Sequence, residues 1–293
     1  MKSWFLAARP KTLPAAVVPV WVGAMPWLVD GDPLTGSWLL FALTLASCLC
    51  IQIATNLFND AIDHRKGADT AARLGPVRAT ASGLLSPRAV MTGALLFCGL
   101  AAALAIPLIL ARGWPIVAIG VVSLYFAYGY TGGPVPLAYR GLGELFVIVF
   151  FGFVAVLGSA FVQSGELEDW KIWILGAQCG LYSAILIAIN NLRDIDEDRS
   201  TGKRTLAVRF GPRFARFEIG MMGALAFTSL QLTSRGLGPA VLIGVLLLIL
   251  VHSLLASAVQ RTPPGPIYNR YLGFAALQLL LFALFVTLRE AFA

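Results

Sequence analysis

Apolar runs long enough to cross about 30 Å of hydrocarbon, roughly 20 residues each, recur along the whole chain with short polar breaks between them. Nine are predicted to be helices, at residues 13–29, 37–58, 88–110, 114–130, 142–163, 172–192, 214–233, 238–259 and 271–289. Only Ala111-Arg112-Gly113 separates the third from the fourth, which predicts a tight helical hairpin. Pro107 is expected to kink the third near its end, whereas Pro115 fits the first turn of the fourth. The pattern predicts an all-α, polytopic membrane protein that forms a single domain over residues 1–293.

Composition agrees with that pattern. Of 293 residues 58% are hydrophobic and 13% are charged, against about 25% charged in soluble domains. So few charges cannot coat a globule of this size, which excludes an ordinary cytosolic enzyme. The net charge of +7 invites a nucleic-acid reading until the charges are placed. With a cytoplasmic N-terminus and nine crossings, 18 of the 22 Lys and Arg residues fall on the cytoplasmic side, leaving Arg112, Lys171, Arg235 and Arg289 opposite. That asymmetry is the positive-inside signature of an integral membrane protein, as in a bacterial inner membrane, and it leaves no basic module for nucleic acid. Cys48, Cys50, Cys98 and Cys179 lack metal-ligand or redox spacing and read as small buried hydrophobes.

The scarce acidic residues are the better guide to chemistry. Asp60, Asp63 and Asp69 follow the second run, and Asp194, Asp196, Glu197 and Asp198 follow the sixth. Each cluster has amides at a helix end (Asn56 and Asn59; Asn190 and Asn191), carboxylates three or four residues apart, then glycine and basic residues. On a helix Asp60 and Asp63 share a face, as do Asp194 and Asp198. At an apolar boundary such carboxylates repel one another unless a cation lies between them. One cluster alone reads equally well as a ladder of solvated charges. Two matching clusters on one side of the membrane favour a hard divalent ion, Mg²⁺ or Mn²⁺. Arg65, Lys66, Arg73 and Arg78 accompany the first cluster, and Arg193, Arg199, Lys203, Arg204 and Arg209 the second. Metal and basic residues together suit a diphosphate, and no P-loop is present. The expected ligand is a diphosphate carried on a lipid-soluble group.

The clusters resemble the two aspartate-rich motifs of the UbiA superfamily of intramembrane prenyltransferases. In that family nine helices carry both motifs on cytoplasmic loops, after the second and sixth. Asn59, Asp60 and Asp63 match the first motif; Gly67 replaces its third aspartate, and Asp69 follows two residues later. This variation resembles the branch that makes menaquinone and phylloquinone precursors. Three further stretches point the same way: Ala8-Arg9-Pro10-Lys11-Thr12-Leu13-Pro14, the run from Tyr130 to Leu137, and Gly202-Lys203-Arg204-Thr205-Leu206-Ala207-Val208.

The resemblance implies transfer of a polyprenyl or phytyl chain from its diphosphate to 1,4-dihydroxy-2-naphthoate, with loss of diphosphate and carbon dioxide. It implies Mg²⁺ held by Asp60, Asp63, Asp194 and Asp198, with Asn59 assisting. Arg78, Arg193 and Lys203 would steady the leaving diphosphate. Tyr125, Tyr128 or Tyr130 would offer a ring face to the allylic cation, and Tyr130 and Thr131 best match the family's pair near the reaction centre. For each tyrosine an interfacial aromatic belt is an equal explanation. The donor's chain would lie in a groove open to membrane lipid, beside Phe-rich runs such as 146–151.

His64 adjoins the first motif and reads as a loop residue. His252, inside the eighth run, reads as a neutral structural group. Gly141-Leu142-Gly143-Glu144 is expected to start the fifth helix, with Arg140 and Glu144 spaced to pair. Prenylation of 4-hydroxybenzoate or homogentisate is the nearest competing activity. A secondary transporter is the rival class, although carrier sites generally lie near the midplane rather than at helix ends.

Overall fold

A computed structural model describes residues 2–29, 37–69, 74–76, 78–233 and 238–292. Every long element among them is a helix: α1 (Lys2–Ala8), α2 (Pro14–Val29), α3 (Trp38–Arg65), α4 (Pro87–Arg112), α5 (Trp114–Gly129), α6 (Gly143–Ser164), α7 (Trp170–Arg193), α8 (Ile195–Ser200), α9 (Leu206–Thr233), α10 (Pro239–Arg261) and α11 (Tyr268–Ala291). Single 3₁₀ turns occupy Pro10–Thr12 and Leu137–Tyr139.

Each of the nine apolar runs coincides with a helix. By length and composition, however, six of the described helices can cross a membrane, or seven if the bent pair Lys2–Thr12 and Pro14–Val29 counts as one span. Nine crossings are therefore not established. The shortfall has local causes. α5 has 16 residues, roughly 24 Å at about 1.5 Å each. α9 carries Arg209, Arg213, Arg216 and Glu218 in its first half and leaves helical geometry at Gly211 (φ 83°), just before Pro212. α4 runs uninterrupted through Pro107, and Gly113 makes the tight turn into α5.

The helix faces explain why this bundle belongs in lipid. Leu96, Leu110, Val121, Leu242 and Leu254 stand out on its surface, where water would penalise them and hydrocarbon does not. α7 is apolar on nearly all sides and becomes the central post. Its Ile172, Leu175, Cys179, Tyr182, Ile185, Ile189 and Leu192 are buried among α2, α6, α9 and α11. Close approach of α6 to α7 requires Gly152, since a Cβ there would stand 2.5 Å from the Gly176 carbonyl oxygen and 2.8 Å from Gly180 Cα. Both neighbours are backbone, so Gly152→Ala is expected to cost about 1–3 kcal/mol. A thermal melt of the purified variant checks this; an unchanged midpoint would contradict the packing.

Two large clusters make up most of the core. One cluster gathers α2, α6, α7, α9, α10 and α11; another gathers α1, α3, α4 and α5 around Ala54, Leu57, Phe58, Ala61 and Ala94. A cavity of about 1140 Å³ has walls from both groups.

Candidate active site

The cavity has an apolar shaft and a charged head. Along α3 it runs from Thr44 to Asp63, roughly 28 Å at about 1.5 Å per residue. Leu108, Ile116 and Val162 pack together at its far end. There Arg112 Nε and Nη2 donate to the carbonyls of Val162 and Gln163, at 2.8 and 2.5 Å, which satisfies the C-terminus of α6. Phe126, Tyr130, Phe146 and Phe150 line the middle. Phe146 stacks on Phe150 at 4.2 Å and lies 5.3 Å from Tyr130. Of the three tyrosines singled out by sequence only Tyr130 lines the cavity; Tyr125 and Tyr128 are exposed on the outside of α5.

The head joins both acidic motifs. α3 continues to Arg65 and so carries Asn59, Asp60 and Asp63 on its last turns. Asp63, 2% exposed, is the hub: its Oδ1 accepts from Tyr139 Oη at 2.8 Å, and its Oδ2 meets Arg78 Nη2 at 3.0 Å and Lys203 Nζ at 3.3 Å. Lys203 comes from the second motif, so one carboxylate links the two loops. Arg78 Nε also meets Asp69 Oδ1 at 3.2 Å, while its buried Nη1 has no partner among the described residues and the residue lines the cavity. The Thr131 hydroxyl donates to Asn59 Oδ1, and the Thr131 carbonyl accepts from Lys66 Nζ at 2.7 Å.

In the second motif α7 ends at Arg193. Asp194 is the break before α8, and the amide of Asp198 still bonds to the Asp194 carbonyl at 2.8 Å. Arg193 grips both Asp194 oxygens, at 2.7 and 2.6 Å, and reaches Asn190 Oδ1 at 2.8 Å and Asn269 Oδ1 at 2.7 Å. Asn269 in turn donates to the Leu74 carbonyl at 3.0 Å, tying α11 to the first loop. The Asp198 carboxyl is pushed up to about 7, first by burial; Lys203 opposes this, while Asp194, Glu197 and Asp63 add repulsion. Asp196 and Arg199 form an exposed pair at 3.2 Å away from the cavity.

Asp60 departs from the expectation that it faces a metal. It is 1% exposed and is not on the cavity wall. Its Oδ2 accepts from the Ala79 amide at 3.0 Å, and its Oδ1 from the Thr80 amide at 3.1 Å and from the Thr80 hydroxyl. Those main-chain donors hold the carboxylate inside the loop that positions Arg78. Nor does Arg140 pair with Glu144. Arg140 is exposed, and Glu144 is buried against Asn191. His64 is exposed and does not line the cavity, and Arg73 lies outside the described residues. Sequence reasoning missed Tyr139 and Asn269, and gave Glu144 only a pairing with Arg140. Tyr139 stands two residues beyond the quoted run, which ends at Leu137, whereas Asn269 carries no local signal and is brought in by α11.

Among the described residues no group of three His, Cys, Asp or Glu side chains is close enough to hold a metal unaided; Arg78 and Lys203 meet Asp63, and Arg193 meets Asp194. The donor set still fits Mg²⁺. Asn59, Asp63, Asp194 and Asp198 bring hard oxygens to one cavity, burial together with repulsion from Asp194, Glu197 and Asp63 disfavours the bare Asp198 carboxylate, and Mg²⁺ ordinarily takes one or two carboxylates plus water and substrate phosphate.

A helical bundle embedded in lipid, with an apolar shaft under a head of cations and carboxylates, defines an integral membrane protein built to hold an amphiphile bearing an anionic end. The chain belongs to the UbiA prenyltransferase family, whose model matches residues 16–287. It is 39% identical over 225 residues to the 1,4-dihydroxy-2-naphthoate octaprenyltransferase of Mycobacterium tuberculosis, covering 76% of this chain and 74% of that one. The fold is similar to the apo structure of a UbiA homolog from Aeropyrum pernix K1, with TM-score 0.73, 20% identity and 96% and 98% of the two chains covered. It is also similar to a UbiA homolog from Archaeoglobus fulgidus bound to DMAPP and Mg²⁺, with TM-score 0.68, 14% identity and 97% and 99% covered.

Proposed function

We propose that this protein transfers a polyprenyl or phytyl chain from its allylic diphosphate to 1,4-dihydroxy-2-naphthoate in an Mg²⁺-dependent reaction that releases diphosphate and carbon dioxide. The observation that carries the reading is the joined architecture of the cavity: a cationic, carboxylate-rich head directly above an aromatic-lined apolar shaft. Identity to a curated naphthoate octaprenyltransferase supports the choice of acceptor.

Mg²⁺, held by Asp63, Asp194 and Asp198 with Asn59, would neutralise the diphosphate and make it a better leaving group. Mn²⁺ has the same ligand chemistry. Asp60 acts instead through the loop it fastens. Arg78, whose Nη1 has no partner among the described residues, and Lys203 supply charge-assisted hydrogen bonds to the diphosphate as the C–O bond lengthens. Arg193 holds Asp194 in place. Tyr130 and Phe146 present ring faces to the allylic carbon, and Thr131 fixes the Asn59 amide.

Nine crossings, with the N-terminus and both motif loops in the cytoplasm of a bacterial inner membrane, complete the proposal. The N-terminal segment supports it, because Asn56 Nδ2 donates to the Ala8 carbonyl and to Thr12 Oγ1, both at 2.9 Å, at the motif end of α3.

The test is a panel of aromatic acceptors offered to purified protein with one allylic diphosphate, with and without EDTA, and products identified by mass. Metal-dependent prenylation of dihydroxynaphthoate in preference to 4-hydroxybenzoate and homogentisate is expected. Preference for either of the others would overturn the acceptor, and turnover insensitive to EDTA would overturn the metal.

The raised Asp198 pKa predicts how metal binding depends on pH. The metal-free carboxyl is protonated below about 7, so a metal ion must displace that proton. Affinity for Mn²⁺ alone, followed by electron paramagnetic resonance, is expected to be full at pH 8 and to fall by up to roughly tenfold per pH unit below 7. An affinity flat from pH 8 to 6 would remove Asp198 from the ligand set.

A further inference from the structure

One buried carboxylate has no part in the diphosphate chemistry. Glu144, in the first turn of α6, is 3% exposed and lines the cavity. Its Oε1 accepts from Asn191 Nδ2 at 2.7 Å. Its Oε2 is buried and accepts a hydrogen bond from no other residue among those described. Leaving such an oxygen unsatisfied costs on the order of 1–3 kcal/mol, so a ligand that donates to it is the natural complement.

The surroundings say what kind of donor. The Tyr130 hydroxyl sits beside the same turn, 3.2 Å from where a Gly143 Cβ would stand, and its ring packs against Phe146. The charged group that faces Glu144 from the neighbouring α9 is another acid, Glu218. From α7 it meets the neutral Asn191, and from the end of α5 the Tyr130 phenol. A doubly charged phosphate would be repelled by the two acids. An aromatic ring bearing a hydroxyl can lie against Tyr130 and Phe146 and donate to Oε2.

We propose that Glu144 binds the hydroxyl of the aromatic acceptor and takes its proton during transfer, an inference that rests on the prenyl-transfer reading. As the O–H pair becomes a ring carbonyl, the ortho ring carbon that bears the carboxyl group bonds to the allylic carbon. The C–O pair leaves with the diphosphate, and the proton stays on Oε2. Loss of the acceptor's carboxyl group as carbon dioxide then gives an enolate, which recovers that proton and regenerates both the aromatic ring and Glu144. Asn191 is a positioning residue that fixes the carboxylate through Oε1.

The experiment compares wild type with Glu144→Gln, using Mg²⁺, farnesyl diphosphate, 1,4-dihydroxy-2-naphthoate and ring-fluorinated analogues with more acidic hydroxyls. Glu144→Gln is expected to lower kcat about a hundredfold and to leave KM for farnesyl diphosphate unchanged. The deficit should shrink as the acceptor becomes more acidic, because an ionised acceptor needs no base. A deficit constant across the series, or near-normal kcat, would overturn the proposal. Should Glu144→Gln fail to fold, Glu144→Asp, with a displaced but intact base, is expected to show a smaller deficit with the same dependence; a flat one again overturns it. If wild type prenylates no acceptor, the underlying reading falls, whereas normal wild-type turnover with an unaffected variant sinks this inference alone.

Discussion

Asp63→Ala is expected to reduce turnover on the order of a thousandfold while the protein stays folded without metal. The expectation follows from what converges on this side chain: Tyr139 at 2.8 Å, Arg78 at 3.0 Å and Lys203 at 3.3 Å, drawn from three separate segments. Removing it deletes a proposed metal ligand and frees two cations that it had placed at the mouth of the shaft. Arg78 keeps its contact with Asp69 at 3.2 Å and Lys203 is only partly buried, so neither cation is stranded alone in hydrocarbon when Asp63 is removed. Asp63→Asn separates the two roles. It still accepts hydrogen bonds from Tyr139 and Arg78 but is a poor metal ligand. An equally deep loss in Asn and Ala assigns the effect to metal; substantial recovery in Asn assigns it to positioning. Near-normal turnover in both would remove Asp63 from the reaction.

The sequence exposed the helices because hydropathy over about twenty residues is a coarse and strong signal, and it exposed the acidic motifs because charge is rare in this chain. It could not reveal which helix is central. In a membrane, lipid-facing and protein-facing sides are both apolar, so the burial of α7 and the exposure of α4 and α10 are set by packing alone. Nor could spacing separate Asp60 from Asp63. Residues three apart share a helix face, yet one meets a loop about twenty positions downstream and the other a tyrosine and a lysine from distant segments. Arg140 and Glu144 show the same limit: their four-residue spacing permits a pair, and tertiary structure gives Glu144 to Asn191. The resemblance drew attention to Tyr130 and Thr131 but not to Tyr139 or Glu144, whose significance arises only where the cavity walls meet.

Asp60→Ala is expected to abolish most activity by a different route, and stability distinguishes it from Asp63→Ala. Asp60 satisfies the buried amides of Ala79 and Thr80, and its carbonyl accepts from the Thr80 hydroxyl at 3.0 Å. Removing the carboxylate leaves two amide donors without partners, at about 1–3 kcal/mol each. The turn they belong to begins at Arg78, whose guanidinium is aimed by that turn at Asp63 and the cavity. The loop should therefore loosen and Arg78 lose its register, lowering the melting temperature of the metal-free protein as well as turnover. Asp60→Asn keeps one acceptor oxygen and is expected to recover part of both. If Asp60→Ala instead lowered Mn²⁺ affinity with no change in metal-free stability, the loop role would be refuted and direct coordination restored. The two aspartates of one motif would thus fail in opposite ways, Asp63 through the ligands it brings to the cavity and Asp60 through the loop it keeps in place.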